Sequence, residues 1–184
     1  MPGAQRPLRV LQLIGDTDAV PAQLPAVALH RGLTSLGVEV RTLALAPGRR
    51  GGLEQDVPSI APSRRSFAAR GLVVTESRWA DVVVLHARGA LTPATLPSRR
   101  SGSPPLIVAV WFDDGRPPAG WSAAARLMAA ATTVVTPSEH VAELVRSRSG
   151  RPDGVAVVPA DLNDEGRPLV DVAGWSRILN DALG

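Results

Sequence analysis

Cysteine and tyrosine are absent from this 184-residue chain, and so is lysine: all 20 basic residues are arginine. Without cysteine there is no disulfide, no thiolate nucleophile and no zinc–sulfur site. The three histidines, His30, His86 and His140, are too few and too scattered for a metal centre, so neither metal nor cofactor is expected. Aromatic residues make up only 3%, which removes the stacking platforms that hold single-stranded nucleic acid. Nucleic acid is therefore not an expected partner. Long apolar runs are missing too. The longest, at 10–14, 82–85 and 106–112, fall well short of the roughly 20 residues that cross a bilayer. The first residues enter a strand-like segment with no apolar signal core, which predicts a cytosolic setting. No G-x-G-x-x-G or P-loop is present, so the phosphate cradle of an independent nucleotide-binding domain is lacking.

What the chain does have is material for one core. Apolar residues reach 45%, and 184 residues suit a single domain. The net charge is only +3, yet the isoelectric point is near 11.0 because every base is arginine. Such usage of Arg, Ala, Val, Gly and Pro is what GC-rich coding produces. The pairs Arg49-Arg50, Arg64-Arg65 and Arg99-Arg100 fall in expected loops or at helix starts. They leave phosphate-bearing ligands and peripheral contact with anionic lipid as the expected charged partners.

Short apolar strands alternate with longer amphipathic stretches, the pattern of a parallel sheet covered by helices. Strands are expected at 9–14, 39–45, 82–85, 106–110, 133–136 and 155–158, with a short extended piece at 59–61. Helices are expected at 23–36, 121–131 and 138–148, and one starting near Asp171. In the first helix Ala28, Leu29, Gly32, Leu33 and Leu36 should form the buried stripe, with His30 outward and Gly37 closing it. The segment 64–78 reads as helical around a β-prone middle, Leu72-Val73-Val74-Thr75. Residues 161–168 read as a polar linker. The fold class is α/β: a single Rossmann-like three-layer α/β/α domain with a mostly parallel sheet.

Several segments are similar to the N-terminal domain of family-4 retaining glycosyltransferases of the GT-B type. Leu11-Gln12-Leu13-Ile14-Gly15, followed by a helix ending in Leu33-Thr34-Ser35-Leu36-Gly37-Val38-Glu39-Val40, resembles that family's opening strand, loop, helix and strand. Asp81-Val82-Val83-Val84-Leu85-His86 resembles the strand that ends in a cleft histidine. Thr133-Val134-Val135-Thr136-Pro137-Ser138-Glu139 and Val155-Ala156-Val157-Val158-Pro159 resemble its later strand-to-helix turn and pre-linker strand. The resemblance covers about residues 8–160. It implies a Rossmann domain over 1–160, then a linker and a C-terminal crossover-type helix over 161–184 packed on the same domain. An ordinary closing helix remains the other reading of that last segment.

Ligands of open parallel sheets sit beyond the carboxyl ends of the strands, where strand order reverses. With strand order 3-2-1-4-5-6, the loop carrying Gly15, Asp16, Thr17 and Asp18 would face His86 and Arg88. Asp113, Asp114, Ser138 and Glu139 would line the same rim. Gly15 offers either turn geometry or a backbone approach to phosphate. His86 is either a hydrogen-bonding cleft residue or a structural strand end. Arg88 either grips an anion or stays solvated. Asp113 and Asp114 are either general acid–base carboxylates or a turn. Ser138-Glu139 has the form of a helix N-cap with an acidic first turn. The resemblance also exposes departures: Asp16 and Asp18 stand where a Gly-Gly pair usually cradles phosphate, and Trp111-Phe112-Asp113 lacks the histidine common after that strand. The family's donor half carries two glutamates eight positions apart and an Arg/Lys pair. The glutamates here are 39, 54, 76, 139, 143 and 165, with no such spacing. The expected function is a glycosyltransferase-like N-terminal domain that recognises a sugar or phosphorylated acceptor, or a donor-binding glycosyltransferase subunit or other protein, and is inactive alone. The alternative is a non-catalytic interaction or scaffold domain.

Overall fold

Six apolar segments assemble into one sheet in the computed structural model, which describes residues 6–20, 23–64, 66–87, 102–111, 121–150, 153–162 and 168–184. In chain order the elements are β1 (Arg9–Asp16), α1 (Leu24–Ser35), β2 (Glu39–Ala46), α2 (Phe67–Trp79), β3 (Val82–Ala87), β4 (Leu106–Val110) and α3 (Trp121–Ala130). Then follow β5 (Thr133–Thr136), α4 (Glu139–Ser149), β6 (Val155–Val157), β7 (Ala160–Leu162), β8 (Pro168–Val170) and α5 (Val172–Leu183). The sheet order is β2-β1-β3-β4-β5-β6 and every neighbouring pair is parallel. This is the Rossmann-like α/β arrangement that the alternating pattern implies.

Right-handed crossovers explain which helix covers which face. Chain moving from β3 towards β6 leaves its helices on one side, and there α2, α3 and α4 pack on Leu11, Leu13, Val83, Leu85, Val108 and Val110. Chain moving the other way, from β1 to β2, puts α1 on the opposite side, over Val10. That side would leave Val82, Val84, Ile107 and Ala109 bare. Helix α5 covers them with Trp175 and Leu179, packing on α1 and β3. A Cβ on Gly32 would collide with Val172, so the glycine sets how closely α1 and α5 approach.

Several expectations change in detail. β1 runs on to Asp16, because Asp16 still pairs with Ala46, so Gly15 and Asp16 end a strand and do not form a loop. β3 likewise includes His86, which pairs with Ala109. The expected 59–61 strand shrinks to one parallel bridge, Ala44 with Ser59, beyond β2. The β-prone Val73-Val74-Thr75 is helical: Ser66 caps α2 through Ala69, and Ala69, Val73 and Ser77, spaced four apart, turn to the core. Tertiary burial overrides local propensity there. In α1 the buried residues are Pro25, Ala26, Leu29 and Leu33, while Leu36 is 58% exposed. Gly37, at φ 80°, ends the helix, and the Val38 N–H returns to the Leu33 carbonyl as in a Schellman cap. The linker at 161–168 is flanked by an antiparallel pair, β7 with β8, and residues 163–167 lie outside the described set. Asp171 caps α5 by accepting from the Gly174 N–H at 2.9 Å. No described helix is long and apolar enough to cross a membrane.

Candidate functional site

At the carboxyl end of the sheet, β1 and β3 are adjacent, and the chain leaves them in opposite lateral directions. The loop after β1 is closed on the segment following β2. The Thr17 hydroxyl accepts from the Gly48 N–H at 2.8 Å and donates to Glu54 Oε1 at 3.0 Å. Asp18 Oδ1 accepts from the N–H groups of Arg50 and Gly51, at 2.7 and 2.9 Å. Asp16 Oδ1 accepts from the Asp18 N–H and from Gln23 Nε2, and its other oxygen pairs with Arg64. The Ala19 N–H goes to the Gly51 carbonyl and the Val20 N–H to the Asp18 carbonyl. Bonds from Gly52 N–H and Thr17 hold the Glu54 carboxyl below its ordinary range. Gly15 is buried, and the Arg64 guanidinium lies 3.5 Å from where its Cβ would be. The loop's donors are thus turned onto its own carboxylates, the chemistry of a closed anion nest.

His86 is only 2% exposed. The Trp111 indole N–H donates to His86 Nδ1 at 3.1 Å. An indole nitrogen can only donate, so Nδ1 must be the bare nitrogen and Nε2 carries the proton. Nε2 donates to Gln12 Oε1 at 2.7 Å. Gln12 Nε2 donates in turn to the Ala26 carbonyl at 3.2 Å and to Thr42 Oγ1 at 3.1 Å. Thr42 Oγ1 also lies within hydrogen-bond distance of His30 Nδ1, 2.9 Å, which extends the network to five side chains. The Trp111 ring lies within 11° of the His86 plane, edge to edge through that bond with centroids 6.3 Å apart, and the Trp175 ring lies 6.4 Å from the imidazole at 29°. Burial pushes its pKa down to about 3. Burial, and then Arg31, lower that of His30.

The other candidates stand apart. Ser138 caps α4 by accepting from the Val141 N–H at 3.4 Å, and Glu139 in the first turn pairs with Arg146. β5 is three strands from β1, about 14 Å at the usual strand spacing. Arg88, Asp113 and Asp114 lie outside the described residues. Among the described residues no group of three His, Asp or Glu side chains is set to hold a metal ion. Gln12, Thr42, Trp111, Trp175, Gln23 and Arg64 were not singled out from the sequence. Gln12 could have been, because an amide in the middle of Val10-Leu11-Gln12-Leu13-Ile14 must find partners once the strand is buried.

No curated protein shows a significant match to this chain. The family model of the glycosyl transferase 4-like domain matches residues 9–161, from the first residue of β1 into β7. That span contains the whole parallel sheet and the β1/β3 switch point, and on it the chain belongs to the glycosyl transferase 4-like domain family.

Proposed function

We propose that this chain acts as the N-terminal, acceptor-side half of a GT-B-type glycosyltransferase, recognising an acceptor or a partner subunit at its carboxyl-end rim, and that it does not transfer sugar alone. The observation that supports this is the loop after β1. Asp16 and Asp18 occupy the donors that a diphosphate would need, taking the N–H groups of Asp18, Arg50 and Gly51 and the Arg64 guanidinium. A phosphate entering here would have to displace two carboxylates and face their charge. Transition-state stabilisation for a leaving diphosphate therefore has to come from groups outside this domain. A second α/β domain docked across the rim would supply them.

The test is turnover. The purified chain, incubated with a panel of nucleotide sugars and phosphorylated or lipid-linked acceptors, should release no nucleotide diphosphate. It should gain transfer only when a donor-binding glycosyltransferase subunit is added. Thermal-shift measurements with the same nucleotide sugars should show no stabilisation of the lone chain, since a ligand of the folded state must raise its apparent stability. Transfer by the chain alone, or firm stabilisation by a nucleotide sugar, overturns the proposal. Failure of every candidate partner to restore transfer favours an interaction domain without chemistry.

A further inference from the structure

Three rings from three elements meet beneath the rim: His86 at the end of β3, Trp111 where β4 leaves the sheet, and Trp175 on α5. The chain between the first two is 25 residues long and that between His86 and Trp175 is far longer, so only the fold brings them together. Both nitrogens of His86 are engaged, one by Trp111 and one by Gln12. Among the described residues its hydrogen-bond and ring partners are Gln12 from β1, Trp111 just past β4 and Trp175 from α5, none of them charged. Trp111 is itself 6% exposed, and its single polar atom is spent on His86. No lone pair or proton of the imidazole is left for a substrate.

We infer that His86 is a positioning residue: bonded edge to edge to Trp111, anchored on Gln12 and with the Trp175 ring alongside, it fixes where β4 ends and does not itself touch a ligand. The inference rests on the proposal that the carboxyl-end rim is the recognition surface, for which the exit of β4 is one boundary. It assigns α5 a second role besides covering the sheet. The Trp175 ring lies 6.4 Å from the imidazole, so α5 meets the support of the rim through one ring. The relay carries the same constraint to β2 and α1 through Gln12, Thr42 and His30. From Trp111 through His86 to Gln12 the donors and acceptors admit one arrangement, and that uniqueness is what positioning requires.

The experiment is nuclear magnetic resonance of the free chain, which needs neither ligand nor partner and so can fail independently of the proposed function. The Trp111 indole N–H signal is identified by its loss in Trp111→Phe. In the unmodified protein that proton should be protected from exchange, and the His86 ring should show a bare Nδ1 and no titration between pH 5 and 8. In His86→Leu the Trp111 indole should exchange about tenfold faster, the loss of one hydrogen bond's worth of protection. Trp111→Phe keeps a ring in place and serves if His86→Leu fails to fold. There the His86 Nδ1 signal should shift, because the indole N–H that bonds it is gone. A merely space-filling His86 would leave the indole exchange unmoved in His86→Leu and the His86 Nδ1 signal unmoved in Trp111→Phe. That result, or a His86 that titrates near 6.5 in the unmodified protein, overturns the inference.

Discussion

The two faces of the central strands are built on different chemistry. Under α2, α3 and α4 the face of β1, β3 and β4 is aliphatic throughout: Leu11, Leu13, Val83, Leu85, Leu106, Val108 and Val110. Under α1 and α5 the same three strands carry Val10, Val82, Val84, Ile107 and Ala109, but also the buried Gln12, His86 and Trp111. An aliphatic face tolerates any packing that fills the space, and its cost of error is graded in volume. A buried amide and imidazole admit only the arrangement that satisfies them, since an unpaired buried polar group costs about 1–3 kcal/mol. The polar face is the one that runs up to the β1/β3 switch point. Apolar packing there holds the molecule together, and the hydrogen bonds specify the rim's shape.

Truncating the ring stack should break the contrast most visibly. Trp175 is fully buried, and Trp175→Ala should cost about 3–5 kcal/mol by denaturant unfolding, through lost burial and the cavity left behind. Leu85→Ala on the aliphatic face should fall in a similar range, about 2–5 kcal/mol, yet leave the Trp111 indole signal in place. Trp175→Phe sharpens the point. The Trp175 Nε1 is buried without a hydrogen-bond partner, so removing it while keeping an aromatic ring should cost far less than the alanine change. Equal losses for the two Trp175 variants would contradict a packing role for the Trp175 ring.

The next effect is acid sensitivity, which only the polar face should show. Between its folded pKa of about 3 and its ordinary 6.5, His86 stays neutral in the folded chain while the unfolded chain takes up a proton. Its contribution is therefore complete above pH 6.5 and drains as the pH falls, by about 1.4 kcal/mol per pH unit, or about 2 kcal/mol by pH 5. His30, also lowered, acts in the same sense. Asp81, paired with Arg6, and Glu54 are lowered too, but their contributions drain only near and below ordinary values of 3.8 and 4.5. Unfolding free energies measured from pH 7 to pH 5 should fall in the unmodified protein and in Leu85→Ala alike, and lose most of that slope in His86→Leu. A flat profile in the unmodified protein would remove the buried neutral imidazole from the account.

The smallest expected change lies at the start of α5. Asp171→Ala removes the carboxylate that accepts from the Gly174 N–H and should cost about 1 kcal/mol, read as a shift of the denaturation midpoint. Trp111 should be unaffected, because the cap secures α5 without touching the stack. A Trp111 signal that moves in Asp171→Ala would mean the helix end and the ring stack are one unit.

Much of the fold was legible in the residues. The apolar runs at 10–14, 82–85 and 106–110 announced buried parallel strands, and Gly37, Ser138 and Asp171 marked helix ends where the structure has them. The site was less legible. His86 was noticed as a strand-end histidine, but its burial was not foreseeable, because the groups that cover it, Gln12, Trp111 and Trp175, come from distant parts of the chain. The carboxylates at 16 and 18 were read as hostile to phosphate. That they are held by Arg64 and by the backbone of residues 50–51 depends on a loop more than 30 residues away.

By itself the sequence determined the alternation of strands and helices and the glycosyl transferase 4-like kinship, because periodicity and turn residues act over a few neighbours. Only the tertiary structure decided that Trp111, His86, Gln12, Thr42 and His30 form one hydrogen-bonded chain, and that α5 closes over it with Trp175. Such partners are chosen by strand order, register and the hand of the crossovers, and none of these is written in any local stretch of residues.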